Sequence, residues 1–517
     1  MKLLKKKVDL ILNFFKKNKL LLIILLGVVI LRIPTLFEPN RYADEDIYLT
    51  IGQGLRKGLV LYRDIHDNKP PLIYILAALG QGVSGFRLIL LFWNLLNVIF
   101  FWVLAQKILV KKWAVITVSL IFAIFSNIPL FEGNIANGEI FLIMPATLAM
   151  LLIFSEVLRK KKERVWIFAL AGLSFSCAFL FKVPVVFDFG AACLFLVFFA
   201  GEKSFLKSLQ YIFSLSFLTF VASFSIPILL SILYYWIQGA GGPYVKGALL
   251  QNIAYLSSWS GGGQSSGIGS LLKSGLVQRG LLVLAITVFL YLVRRKIPLA
   301  VSFSSLWFLY ALFGVFLSFR PYPHYILQAV APASLILVLI LVEKKNLERV
   351  IILGLLALAT FFYIKVDFWY YKSLPYYQNF VKFTLGFETR DQYFDFFGKV
   401  NRNYQIAQYI IEHSAPTDKI FVWGTEPAIY VLSDRLPVGR YTVEYHVVDF
   451  NAYSETMSYF KKTMPKIIIT FPDSRPFPDL FKTLREKYIL VKKIDNADIY
   501  LRAPQTISST SSWQAAF

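Results

Sequence analysis

Cysteine is almost missing from this 517-residue chain: Cys177 and Cys193 are the only two, and both lie in apolar segments. Such a pair offers neither a disulfide framework nor a zinc site, and it reads as inert core. Charge is also scarce, at 16% of residues beside 57% hydrophobic, where soluble domains carry about 25% charged side chains. With a mean hydropathy of +0.59, that deficit excludes a soluble enzyme of ordinary composition. There is no glycine-rich dinucleotide fingerprint, and no cytosolic domain that could bind a nucleotide sugar. The first apolar stretch ends at Arg32-Ile33-Pro34 without a small-residue cleavage site. That predicts an uncleaved first span behind a lysine-rich amphipathic lead-in over 1–19.

Long apolar runs are what the chain has in abundance. They lie near 20–37, 86–106, 113–130, 139–157, 165–181, 183–200, 208–238, 276–293, 297–318, 323–342 and 347–364, and a bilayer crossing needs about 20 residues. The expected fold class is therefore a polytopic α-helical membrane protein with about eleven transmembrane helices. The formal net charge is +23, and residues 1–366 hold 36 basic and 15 acidic side chains against 18 and 16 in 367–517. The excess belongs to the membrane part, so positive-inside topology explains it and no nucleic-acid partner is expected.

Segment 70–85, PPLIYILAALGQGVSG, is apolar but short. If it does not cross, the basic clusters at 107–112, 159–164, 203–207, 294–296 and 344–349 all share the side of the N-terminal lysines. A crossing would throw all five outside, so the segment is read as a re-entrant or interfacial helix. This topology gives a multi-pass plasma-membrane protein with a cytoplasmic N-terminus. Loops 38–69, 131–138, 239–275 and 319–322 then face outward, with everything beyond about 365. Loop 239–275 contains SSWSGGGQSSGIGS, a flexible connector or a lid. Residues 366–503 read as one extracytoplasmic α/β domain, with strands KIFVWG and KIIITF, a helical EPAIYVL between them and a closing pair YILVKKI and ADIYLR. The tail 504–517 is polar and aperiodic and is expected to be disordered.

Six of the fifteen acidic residues in 1–366 fall between Glu38 and Asp67, among them Asp44-Glu45-Asp46 in RYADEDIYLT. Carboxylates at a membrane boundary serve as general bases, stabilise developing positive charge or bind metal; the plain alternative is a solvated loop. Ile47, Tyr48, Leu49, Ile51 and Leu55 give the following helix an apolar face on the bilayer and fix the carboxylates near its N-terminus. Next comes YRDIHDNKPPLIY, with His66 and with Lys69 ahead of a proline pair, where a lysine either holds a lipid phosphate or snorkels. SFRPYPHY places Arg320, Tyr322, His324 and Tyr325 between two spans. It suits phosphate recognition and proton transfer, or else an aromatic-belt loop. FEGNIANGEIF carries Glu132, Asn134, Asn137 and Glu139, the last also explicable as a favourable charge at a helix N-terminus. FKVPVVFD adds Lys182 and Asp188 in or near the membrane, where charge is costly and functional by default, although Lys182 could merely snorkel.

In order, ADEDIY, HDNKPPLIY, EGNIANGEIF, FKVPVVFD and RPYPHYILQ resemble, over roughly residues 20–345, the GT-C glycosyltransferases related to dolichyl-phosphate-mannose protein mannosyltransferases and bacterial aminoarabinose or galacturonate transferases. The resemblance implies a GT-C-like catalytic module over 20–365, an active-site acidic pair at Asp44-Glu45, and contact of Lys69 with a carrier phosphate. The family-like reaction is one inverting displacement on a polyprenyl-phosphate-sugar donor outside the cytoplasm. Asp44 is then the base, with Glu45 and Glu139 as supporting carboxylates. Lys69, Arg320, His324 and Lys182 hold the phosphate, while Tyr48, His66, Glu132, Asn137, Tyr322 and Tyr325 contact sugar or acceptor. Segment 70–85 and the spans around Lys182 would groove the lipid tail. No motif marks the acceptor, which could be lipid, glycan or protein. No cofactor is required and no metal site is assigned, although the acidic cluster leaves a divalent cation open. The rival reading, a lipid-linked sugar flippase or transporter, would place polar groups near the midplane.

Overall fold

A computed structural model describes residues 9, 13–159, 161–199, 204–251 and 274–504. Most of the lead-in, the SSWSGGGQSSGIGS segment and all but the first residue of the tail lie outside the described residues. The membrane module contains α1 (Lys19–Arg32), α2 (Ala43–Arg56), α3 (Leu72–Gly80), α4 (Val83–Ile108), α5 (Lys112–Phe125), α6 (Gly138–Leu158), α7 (Val165–Phe179), α8 (Val186–Leu194), α9 (Leu215–Ile237), α10 (Gly275–Val293), α11 (Leu299–Val315), α12 (Leu327–Val342) and α13 (Asn346–Val366). Among the described residues, seven helical segments are long and apolar enough to cross a bilayer; apolar helices at Lys112–Phe125, Val165–Phe179, Val183–Phe199 and Leu299–Val315 are shorter. Together they coincide with the eleven apolar runs of the sequence. Their outward faces expose Leu26, Leu229, Leu233 and Leu292, an apolar surface that suits lipid and not water. The chain is an integral membrane protein.

Helix α3 has nine residues, about 14 Å of rise, under half of a ~30 Å hydrocarbon core. It ends on Gln81 in the left-handed region, φ 61°, and the chain turns at once into α4. Gly52 lets α2 lie directly on α3: a Cβ there would meet the Ala78 nitrogen at 2.6 Å.

A buried ion network ties the start of α4 to the start of α2 and the segment before it. Arg87 of α4 reaches Glu45 (Nε–Oε1 2.9 Å, Nη2–Oε2 2.5 Å) and Glu38 (Nη1–Oε2 2.9 Å). Glu38 also accepts from Arg41 (2.6 Å), Asn134 (3.1 Å) and the Tyr376 hydroxyl (2.5 Å). Tyr376 lies in α14 (Ser373–Thr384), so this carboxylate fastens the C-terminal part to the module. Burial pushes the Glu38 carboxyl up, but the charges of Arg41 and Arg87 and the hydrogen bonds from Tyr376 and Arg41 outweigh it, lowering the pKa from 4.5 to about 2. A carboxylate depressed in the folded state contributes stability that is fully present above its unfolded value and is lost as pH falls through its folded one. The protection of the α14 amides, taken relative to their intrinsic exchange rates, should therefore hold down to about pH 4.5 and fall toward pH 2. In Glu38→Gln exchange should be fast already at neutral pH, without that acid step.

Beyond α14 come α15 (Arg390–Asp395), α16 (Val400–His413), β1 (Ile420–Trp423), α17 (Ala428–Ser433), α18 (Glu444–Asp449), α19 (Tyr453–Lys462), β2 (Ile467–Thr470), α20 (Pro478–Lys487), β3 (Tyr488–Ile494) and β4 (Ala497–Arg502). The sheet order is β1-β2-β4-β3, with β1 and β2 parallel and the other pairs antiparallel. Side chains alternate across it with the period of two that strands impose. Val422, Ile467 and Ile469 enter one core with Ile406 and Ile410, while Phe421, Trp423 and Ile468 enter the other with Phe460 and Leu480. This domain docks on α2. Thr50 Oγ1 donates to the Pro427 carbonyl (3.2 Å), Gln53 Nε2 to Asp434 Oδ1 (2.9 Å), and the His66 amide to the Arg440 carbonyl (2.8 Å).

Candidate active site

The site begins with the first turn of α2. Tyr42 at its N-cap provides no side-chain hydrogen bond, so Asp44, Glu45 and Asp46 answer the exposed amides by charge. A helix turns about 100° per residue, and the three carboxylates leave in three directions. Asp44 faces a cavity of about 680 Å³ between the membrane module and the α/β domain. Glu45 turns inward to Arg87 and the Ala136 amide (3.1 Å) and is fully buried. Asp46 turns to the far side, where Asn40 donates to it at 2.5 Å. Glu45, expected as a supporting carboxylate, is the counterion of Arg87 at the start of α2 and does not line the cavity.

Lys69 faces Asp44, with Nζ 3.5 Å from Asp44 Oδ2 and 3.9 Å from Asp67 Oδ2, over the Tyr48 ring at 5.0 Å. Its backbone is clamped by two tyrosines: Tyr62 OH donates to the Lys69 carbonyl (2.8 Å), and the Lys69 amide donates to Tyr74 OH (3.1 Å). Tyr74 OH in turn donates to Asp67 (2.8 Å), and His446 of the α/β domain lies 3.3 Å from Asp67. Burial raises the Asp67 carboxyl, yet the Lys69 and His446 charges, the Asn68 amide and Tyr74 hold it below its usual range. Asp67 is thus an anion that holds Lys69 in place.

Across the cavity, Lys182 is ion-paired with Glu139 and lies over the Tyr325 ring at 4.5 Å. His324 pairs through Nδ1 with Glu132 and stands 3.6 Å from Glu139 through Nε2. Tyr42 OH donates to Glu132 at 2.7 Å. Asp44, Lys69, Glu132, Lys182, Arg320, Tyr322, His324 and Tyr325 therefore line one cavity. Glu139 stands behind its wall and holds Lys182 and His324. Tyr48 is fully buried beneath Lys69, its hydroxyl 3.4 Å from Asp44.

Asn137 and His66, expected to contact sugar or acceptor, lie away from this cavity. Asn137 is the N-cap of α6, its Oδ1 accepting from the Ile140 amide at 3.3 Å, and it does not line the cavity. His66 is enclosed by Phe450, Tyr441 and Tyr62 at the domain interface. Burial first, then the charges of His446 and Arg440, lower its pKa to about 3, so it stays neutral. Docking of the α/β domain leaves it 3% exposed.

The cavity also includes residues that the sequence did not single out: Tyr42, Trp369, Tyr371, and Tyr445, Asp449 and Arg475 of the α/β domain. The C-terminal domain thus builds part of the wall. Among the described residues, no three His, Cys, Asp or Glu side chains converge as metal ligands.

Comparison with known proteins gives a partial family match and likenesses to solved structures. Residues 68–226 match the sequence model of the dolichyl-phosphate-mannose-protein mannosyltransferase family. No curated protein sequence matches the chain. ArnT from Cupriavidus metallidurans, solved bound to undecaprenyl phosphate, shares the fold at 13% identity and TM-score 0.53, over 95% of this chain and 100% of that one. The archaeal oligosaccharyltransferase AglB from Archaeoglobus fulgidus, in complex with an inhibitory peptide and a dolichol-phosphate, aligns at 13% identity and TM-score 0.45, over 88% of this chain and 70% of that one. The chain thus shares the membrane fold of ArnT and, over residues 68–226, resembles the dolichyl-phosphate-mannose-protein mannosyltransferase family.

Proposed function

We propose that the protein is an integral-membrane glycosyltransferase that moves a sugar from a polyprenyl-phosphate carrier to an acceptor on the extracytoplasmic face, with inversion. The observation that carries this reading is the placement of Asp44, 3.5 Å from Lys69, in a cavity that also presents Lys182, Arg320 and His324. The likeness to ArnT, whose structure holds undecaprenyl phosphate, supports a lipid-linked donor. The basic clusters in the loops support a cytoplasmic N-terminus in the plasma membrane and a site on the opposite face.

In this mechanism the acceptor hydroxyl gives its proton to Asp44 while its oxygen attacks the anomeric carbon. The bond from that carbon to the phosphate oxygen breaks, and the polyprenyl phosphate leaves with the electron pair. Lys69, Lys182 and Arg320 meet the charge that develops on the phosphate, which preorganised cations stabilise most effectively in a site shielded from water. His324, held by Glu132 and Glu139, donates a hydrogen bond. A single displacement inverts the anomeric centre. No step calls for a cofactor, and the acidic groups leave a divalent cation to be tested by chelation.

Binding of undecaprenyl phosphate tests the phosphate site. Wild-type protein in nanodiscs should bind it, and Lys69→Ala and Arg320→Ala should each weaken binding about 10- to 100-fold, as expected for loss of a charged hydrogen bond. Equal affinity in all three proteins would reject the assignment.

A further inference from the structure

A second cavity, of about 310 Å³, lies on the other side of the α2 N-terminus. Asn40, Arg41 and Asp46 of the first outer loop form one wall, and Lys399, Asn403 and Glu426 of the α/β domain form the other. Ala43, the residue before Asp44, lines this cavity and the first one alike. The size falls at the lower end of the ~300–1,000 Å³ typical of small-molecule sites.

The lining decides what kind of molecule fits. Its charges largely cancel within the protein: Arg41 is paired with Glu38 at 2.6 Å, and Glu426 with Arg402 at 2.6 Å and Asn403 at 2.8 Å. Two cationic and two anionic side chains, Arg41, Lys399, Asp46 and Glu426, face each other across it. An anionic ligand would meet two carboxyl groups and a cationic one two positive charges. Asp46 is only 2% exposed and takes one hydrogen bond, from Asn40. Its carboxyl accepts from Asn40 and contributes acceptor oxygens to the lining. With the amides of Asn40 and Asn403, the cavity presents closely spaced donors and acceptors without net charge. That is the complement of a neutral polyol.

We infer that this cavity is a glycan subsite that holds a neutral sugar unit of the acceptor, adjacent to the unit that receives the transferred sugar. This rests on the glycosyltransferase reading and narrows its acceptor to a carbohydrate chain.

Saturation-transfer NMR on the full-length protein in nanodiscs tests it, with maltotriose, mannotriose and chitotriose as neutral probes, trigalacturonate as an anionic probe and a Ser/Thr-containing hexapeptide. At least one neutral trisaccharide should receive saturation. Thr425→Trp and Lys399→Trp, which fill the cavity from exposed positions, should each reduce that signal at least about tenfold. Undecaprenyl phosphate binding, measured on the same samples, should stay at the wild-type level and certify the fold. The inference is overturned if no neutral trisaccharide responds, if the signal survives both fillings, or if only the anionic probe or the peptide responds. Trisaccharide binding without undecaprenyl phosphate binding in wild-type protein would keep the sugar site and remove the donor reading instead.

Discussion

Asp44→Asn is expected to slow turnover of a polyprenyl-phosphate sugar about 10²- to 10⁴-fold, the range that a positioned general base contributes, with undecaprenyl phosphate affinity unchanged or higher. The direction of the binding effect follows from charge. Asp44 lines the same cavity as Lys69, Lys182 and Arg320, where a carboxylate repels a phosphate. Removing it costs the reaction its proton acceptor but costs the carrier nothing. The neighbouring carboxylates make controls of a different kind, because neither Glu45 nor Asp46 lines this cavity. A loss of turnover in Asp44→Asn accompanied by an equal loss of binding would mean that Asp44 shapes the cavity and is not the base.

Arg87→Met should be the most destabilising single change. The guanidinium is fully buried and holds both Glu38 and Glu45. Removing one partner of a buried ion pair typically costs about 3–5 kcal/mol, because the charge left behind has no solvent. The loss should appear as a large drop in Tm and in the yield of folded protein. Replacing the whole cluster by apolar side chains is often tolerated. Arg87→Met combined with Glu38→Met and Glu45→Met should accordingly recover stability relative to Arg87→Met alone, while undocking α14, which loses the bond from Tyr376 to Glu38. If the triple variant were less stable than the single one, charge burial would not be the cause.

These two outcomes separate roles that the sequence presents as one acidic run. What the sequence made legible was set by periodicity and length. The apolar segments, the short α3 and the four strands each carry their signal locally, in runs that only one element can use. The order of motifs likewise suggested a shared cavity, and Asp44, Lys69, Lys182, Arg320 and His324 do line one.

What was illegible depends on distant partners. A helix sends Asp44, Glu45 and Asp46 in different directions, and which of them meets a cation is decided by Arg87, 42 residues from Glu45. A signal was available there: a lone arginine in the apolar stretch of α4 requires a counterion. Asn137 before Gly138-Glu139 also had the form of a helix cap. Nothing comparable announced Tyr445, Asp449 and Arg475, which reach the cavity because the α/β domain docks on α2, or the enclosure of His66 by the same contact.

The most direct test of the account follows the glycosidic bond in proteoliposomes supplied with radiolabelled polyprenyl-phosphate sugars. Transfer predicts that polyprenyl phosphate is released in step with labelled sugar on an acceptor or on water, and that Asp44→Asn stops this release. Movement of the intact lipid-linked sugar across the bilayer, at the same rate in wild type and Asp44→Asn and with its bond to phosphate unbroken, would contradict the account and make the protein a flippase.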